Sequence, residues 1–205
     1  TLSLHDALPI SYCLGGLCGG NTNGTITKCY ATGSVIGSSY LGGLCGSNGG
    51  TITNNYAAGS VIGGSYIGGL CGYNESTITR SYATGSVTGG SESFRLGGLC
   101  GYNDRGTILN SYTTGLISGA SSDIGGAVGK NYYGTFSGCF WDTQTSGQSV
   151  GVGSGPSGGV IGKTTAEMMK RVTFTSATSV WWDFTEGDGD PADWMMLREG
   201  EDYPR

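Results

Sequence analysis

The chain reads as all-β: a parallel β-solenoid (β-helix) of about five coils of 26–30 residues, with a small irregular C-terminal cap containing a short helix. Three observations predict this. The motif Leu/Ile-Gly-Gly-Leu-Cys-Gly recurs at residues 14–19, 41–46, 67–72 and 96–101, with a worn copy, Ile-Gly-Gly-Ala-Val-Gly, at 124–129. Each copy is followed at a fixed offset by a Thr-Ile-Thr-like triplet, an aromatic four residues past the Ile, and in most copies Gly-Ser-Val. Glycine makes up 42 of the 205 residues, yet the glycines keep register with equally fixed Leu, Ile, Tyr and Val, which a low-complexity linker has no reason to do. A unit of this length cannot bury its own apolar face, so neighbouring units must supply the core.

Coil one spans about 12–39, and the next coils start at Tyr40, Tyr66, Arg95 and, in degenerate form, Asp123. Turn residues divide each into three expected short strands: the Gly-rich segment, the Thr-Ile-Thr segment with its aromatic, and the Gly-Ser-Val segment. In Thr51-Ile52-Thr53 the two-residue alternation puts Ile52 on one face and both threonines on the other. Stacking then predicts three ladders with rungs about 4.8 Å apart. The first is Ile26, Ile52, Ile78, Ile108 and Phe136; the second Tyr30, Tyr56, Tyr82, Tyr112 and Phe140; the third Leu17, Leu44, Leu70, Leu99 and Ala127. Five coils make a rod about 24 Å long. Glycine is expected at tight corners that need positive φ. Extra residues at Glu92-Ser93-Phe94 and near Ala120-Ser121-Ser122 fall at one corner, where a loop bulges without breaking a ladder; this is the expected variable recognition face.

These residues resemble a family. Gly-Gly-Leu-Cys-Gly-Tyr-Asn followed by Thr-Ile-Thr-x-Ser/Asn-Tyr-Ala-Thr-Gly-Ser-Val is similar to the GLUG repeat of bacterial secreted and surface proteins, including filamentous haemagglutinin-like adhesins. The resemblance covers roughly residues 12–140 and implies a β-solenoid outside the cytoplasm. The chain departs from the usual Gly-Gly-Leu-Val-Gly by carrying Cys in four copies. The tail also resembles the one that often follows such repeats, in Trp182-Asp183-Phe184 and Glu199-Gly200-Glu201-Asp202-Tyr203-Pro204.

Residues 1–11 differ from the rest and resemble the translation of a common short-read sequencing adapter, so they are set apart as non-native and the chain is read as a fragment. Removing them removes His5, the sole histidine, and with it His-based triads and His metal ligands. Residues 12–142 form the repeat domain and 143–162 a Gly/Ser-rich loop or linker. Residues 163–205 form the capping segment, with Thr164 and Glu167 as a capping box and the aromatics Phe174, Trp181, Trp182, Phe184, Trp194 and Tyr203 covering the open end of the rod.

Net charge is -5 with Lys and Arg scattered singly, which speaks against a nucleic-acid partner. No apolar run reaches bilayer-spanning length. Cys18, Cys45, Cys71 and Cys100 share one repeat position and read first as buried free thiols, with some disulfide pairing as the alternative. Cys29 and Cys139 share another, and Cys13 stands apart. The Thr-x-Thr pairs 25/27, 51/53 and 77/79 form an outward array of the kind ice-binding solenoids use, interrupted by Leu109 and Ser137. Glu186, Asp188, Asp190 and Asp193 read as a solvated acidic loop before a calcium site. Asp142 and Asp183 are the carboxylate pair to check for glycoside chemistry. Lys28 and Arg80 share an aligned position with Asn54 between them.

No catalytic, cofactor or metal residue is therefore assigned. The expected function is a noncatalytic extracellular or cell-surface module of a larger adhesin-like or structural protein, with glycans or matrix as partners. The alternatives are a β-helix polysaccharide-cleaving enzyme and, third, an ice-binding solenoid.

Overall fold

The computed structural model describes residues 12–119, 122–175, 201, 203 and 204. The expectations for residues 1–11, for Ala120 and Ser121, for Trp181, Trp182, Asp183, Phe184 and Trp194, and for the acidic stretch Glu186 to Asp193 lie outside them. The described chain winds as a β-solenoid whose strands pair in parallel, coil upon coil.

Each coil contributes to four sheets. The leucine sheet contains Tyr12–Gly15, Ser39–Gly42, Val61–Gly68, Val87–Gly97 and Ser122–Gly125, with the short strands Val35–Ile36 and Ile117–Ser118. The cysteine sheet contains Cys18–Asn21, Cys45–Asn48, Cys71–Asn74, Cys100–Asp104, Val128–Tyr132 and Val152–Ser154. The isoleucine sheet is Thr25–Thr27, Thr51–Thr53, Thr77–Thr79, Thr107–Leu109 and Thr135–Ser137. The tyrosine sheet is Tyr30–Ala31, Tyr56–Ala57, Tyr82–Ala83, Tyr112–Thr113, Cys139–Asp142 and Val160–Lys163.

The three strands expected per coil are thus corrected to four faces. A left-handed corner separates the Thr-Ile-Thr triplet from its aromatic in every coil: Lys28, Asn54, Arg80, Asn110 and Gly138 have φ of 52°, 57°, 48°, 44° and 59°. Gly42-Gly43 and its equivalents break the Gly-rich segment between the leucine and cysteine sheets. The Gly-Ser-Val segment runs on into the next coil's leucine strand, as in Val61–Gly68.

The role expected of glycine also needs correcting. A second left-handed corner is occupied by Cys13, Tyr40, Tyr66, Arg95 and Asp123, so most corners with positive φ carry a side chain. Glycine is needed instead where backbones meet. A Cβ on Gly72 would lie 2.6 Å from Leu41 N and Tyr40 C, because the cysteine and leucine sheets pass back to back there.

That contact divides the interior into two cores. One is built from Leu44, Cys45, Ile52, Ala57 and their equivalents between the cysteine, isoleucine and tyrosine sheets. The other lies beneath the leucine sheet, from Val61, Ile67, Val87, Leu96 and their equivalents. The isoleucine and leucine ladders stack as expected through coils two to four, where Leu44, Ile52, Leu70, Ile78, Leu99 and Ile108 are fully buried. Leu17, in the first coil, is 46% exposed.

The insertion expected at Glu92-Ser93-Phe94 falls instead within 90–93, absorbed as a bulge: Gly63 pairs with Gly89, then Ser65 with Phe94, and Phe94, back in register, with Ser122. Residues 143–162, expected as a loop or linker, contain Val152–Ser154 and the start of Val160–Lys163, which continue the cysteine and tyrosine sheets. Helices α1 (Thr165–Met168) and α2 (Arg171–Thr175) follow, and the Thr164/Glu167 capping box forms as expected. The described part of the cap packs along the flank rather than over the end of the rod. Met168 and Phe174 bury Tyr112 and Phe140, with Tyr82 and Tyr203 packed alongside.

Candidate functional site

With the cores filled by side chains, the surfaces available for contact are the outward columns of each sheet. On the tyrosine sheet, Tyr30, Tyr56, Tyr82 and Tyr112 stack with centroids 5.1, 5.1 and 5.0 Å apart and planes within 8° of parallel. Parallel pairing dictates this, since it brings equivalent residues to the same height from coil to coil. The ladder grades from open to closed: Tyr30 is 62% exposed and Tyr112 only 1%, beneath the cap.

On the isoleucine sheet, Thr25, Thr51, Thr77, Thr107 and Thr135 form an unbroken outward column. The hydroxyls of Thr107 and Thr135 lie 3.1 Å apart. The parallel column of Thr27, Thr53 and Thr79 passes into Leu109 and Ser137.

A second aromatic cluster lies where the leucine and cysteine sheets meet. Tyr40 and Tyr66 stack at 4.5 Å, Tyr73 packs edge-on against Tyr40, and the Arg95 guanidinium sits 4.6 and 4.5 Å from the rings of Tyr66 and Tyr102. Asp123 approaches both Arg95 and Lys130 at 3.9 Å. The Tyr73 hydroxyl lies between Glu75 and Asp104, and burial together with these two carboxylates drives its pKa well above the usual phenol value.

The corner from the cysteine to the isoleucine sheet varies in side-chain chemistry as well. It presents Glu75, Asp104-Arg105 and Tyr132-Tyr133 in successive coils, with Tyr133 73% exposed. Short spacers in an otherwise regular repeat are the sequence signal for it.

The cysteines are free thiols. Cys18, Cys45, Cys71 and Cys100 form the expected column, continued by Val128 and Val152. Cys18 Sγ lies 3.5 Å from Cys45 Sγ. That shared hydrogen bond, then burial, drives the Cys18 thiol pKa far up, and burial does the same to Cys71. Burial pushes Cys139 up to about 12. A thiol so held stays protonated and packs as a small apolar group.

Sequence reasoning missed a buried asparagine ladder. Asn21, Asn48, Asn74 and Asn103 each donate an amide hydrogen to the next Asn, ending at Asn131, at 2.9, 2.9, 2.8 and 3.0 Å, and all five also donate to a turn carbonyl in their own coil. The signal was the Asn that follows Cys-Gly-x in four copies and Val128-Gly129-Lys130 in the fifth.

Asp142 is fully buried and accepts from the backbone N–H groups of Gln144 and Thr145 and from the Tyr203 hydroxyl. It is therefore committed to holding a turn and the cap, while Asp183 lies outside the described residues. Among the described residues no three of His, Cys, Asp and Glu gather as metal ligands, and no helix is long and apolar enough to cross a membrane.

Fold and columns together define a β-solenoid repeat module. The chain carries the GLUG motif: residues 10–36 and 63–88 match it. A protein named as a Gly-rich membrane protein, from Evansella cellulosilytica, is 37% identical over 105 residues, covering 48% of this chain. The match spans about a tenth of that protein's length (10%). No solved structure matches the chain significantly.

Proposed function

We propose that the chain is a noncatalytic module on the outside of the cell or at its surface, part of a larger adhesin-like or structural protein, and that it works by display. The observation that carries this reading is the in-register exposure of tyrosine and threonine columns on a rod whose Cys45, Cys71, Cys100 and Cys139 thiols and Asp142 carboxylate are buried. A contact made by one coil is repeated by the next at the same spacing, so weak contacts with glycans or matrix sum to useful avidity. A glycan-array assay tests the reading: retention on a defined glycan class is expected, and silence on every glycan would leave a spacer role.

The ice-binding alternative is favoured by the unbroken Thr25 to Thr135 column. It is tested by inhibition of ice recrystallisation, with Thr77→Tyr expected to abolish any such activity.

A further inference from the structure

We propose that the corner between the cysteine and isoleucine sheets is a self-docking edge, on which a second copy of this chain seats antiparallel across a two-fold axis. The inference is independent of what the display columns bind. Its first support is a step in the length of the corner. Asn48, Asn74, Asn103 and Asn131 are in register on one side of it, and Thr51, Thr77, Thr107 and Thr135 on the other. Two residues join them in coils two and three (49–50 and 75–76), but three in coils four and five (104–106 and 132–134). With both ends fixed, the extra residue has to bulge outward, and Arg105 and Tyr133 at the middle of the longer corners take left-handed φ of 56° and 54°. Coil one again has three (22–24), between Asn21 and Thr25 in the same registers. The edge therefore carries a notch two coils wide beside a ridge two coils wide, each about 10 Å along the rod.

The side chains on the step supply the second support. The notch holds Gly49-Gly50 and, next to the ridge, Glu75; the ridge holds Arg105, next to the notch, and then Tyr132 and Tyr133. Glu75 is exposed, the Arg105 side chain is 73% exposed, and so is Tyr133, which touches Tyr132 edge-on at 4.5 Å. The acid nearest Arg105, Asp104, lies 3.8 Å from it and is mostly buried, accepting from the Tyr73 hydroxyl. One acid, one base and one aromatic pair thus face outward in a fixed order along the edge.

That order is self-complementary. A two-fold axis perpendicular to the rods, level with the gap between coils three and four, sets coil four against coil three of the second copy and coil five against its coil two. Arg105 of each copy then meets Glu75 of the other, and Tyr132 and Tyr133 enter the notch at Gly49-Gly50, where no side chain stands in the way. Every contact is made twice, as an isologous interface requires. Coil one falls opposite the sixth turn, where among the described residues no strand extends the isoleucine sheet. Parallel rods would instead set Arg105 on Arg105 and ridge on ridge. Inserted tyrosines supply the binding energy here and the charge pair supplies the register.

Sedimentation equilibrium of the whole chain tests the assignment, carried to about 1 mM because a contact along one edge is smaller than a standard interface. A monomer and dimer in equilibrium are expected. Glu75→Arg and Arg105→Glu should each leave a monomer, since each opposes like charges at both contacts, and an equimolar mixture of the two variants should form a heterodimer that neither forms alone. Tyr133→Asn removes the ring at a left-handed position that Asn tolerates. It should weaken the dimer by about tenfold or more with no loss in thermal melting. Gly49→Tyr sets its Cβ 3.7 Å from Asn21 O, an ordinary contact, and fills the notch, so it too should leave a monomer. A native chain that stays monomeric throughout would overturn self-docking. A dimer indifferent to both charge reversals, or a mixture that forms no heterodimer, would overturn the two-fold edge.

Discussion

Asn48 donates to Asn74 at 2.9 Å, and Asn74 passes a hydrogen bond to Asn103 at 2.8 Å, in an interior that water does not reach. Each amide is donor and acceptor at once, so removing one rung strands a donor on one side and an acceptor on the other. Asn74→Leu should therefore cost about 2–4 kcal/mol in urea unfolding, since each stranded buried group costs about 1–3 kcal/mol. Asn21→Leu, in the first coil, has a single described rung beside it and should cost less. Equal losses at the two positions would contradict a ladder of coupled rungs.

The glycines divide into two kinds that substitution separates. At Gly72 an added Cβ meets three backbone atoms at 2.6–2.7 Å, and backbone cannot step aside as a flexible side chain can. Gly72→Ala should be destabilising by about 2 kcal/mol or more, as overpacking usually is. Gly33 has nothing within 4 Å of the same construction, so Gly33→Ala should be neutral or stabilise by up to about 1 kcal/mol. Thermal melts of the pair make the comparison.

What could be read from the sequence follows from periodicity. Ile52 and Tyr56 recur at fixed offsets, and recurrence in a solenoid means stacking, so both ladders and the cysteine column were legible before any coordinate. The fourth face was not, because Lys28, Asn54 and Arg80 are poor advertisements for a left-handed corner, which becomes visible once each is seen stacked against the same corner in the next coil. Glycine misled for a related reason. Its abundance was assigned to turns, whereas the back-to-back passage of two sheets is a long-range contact with no local signature. The asparagine ladder recurs as regularly as the leucines, yet polar recurrence looks like surface until the pairing of coils buries it. In the cap, helix capping at Thr164 was legible because it is local, but the docking of Phe174 on Tyr112 joins residues distant in sequence.

The cysteine column predicts a pattern of reactivity. Cys45, Cys71, Cys100 and Cys139 are buried, whereas Cys13, Cys18 and Cys29 are partly accessible. A native-state titration with a disulfide reagent should therefore modify those three first, and the other four after unfolding. Cys71→Val should cost less than about 1.5 kcal/mol, as near-isosteric core swaps do, because Val128 and Val152 already fill the same column. A large loss on that substitution would show that the thiols contribute more than volume.

The cap should be alkali-sensitive through Tyr203. Burial, and next its hydrogen bond to Asp142 at 2.9 Å, push the Tyr203 phenol up to about 12, against about 10 for an unfolded chain. A group whose folded pKa is raised adds stability that is fully present below the unfolded value and is lost as pH climbs through the folded one. Stability should therefore hold to about pH 10 and fall between about 10 and 12. Tyr40, Tyr73 and Tyr102 are raised as well, by burial first, so the total alkaline loss is shared with the second aromatic cluster. The difference between the native chain and Tyr203→Phe isolates the cap. At neutral pH the variant should lose about 1–2 kcal/mol, the lower part of the range for a hydrogen bond to a charged acceptor because the phenol is partly solvated. Above pH 10 its stability should decline less steeply, and the two curves should converge. Parallel curves in chemical unfolding from pH 7 to 12 would mean that Tyr203 ionises freely and that Asp142 holds only its own turn.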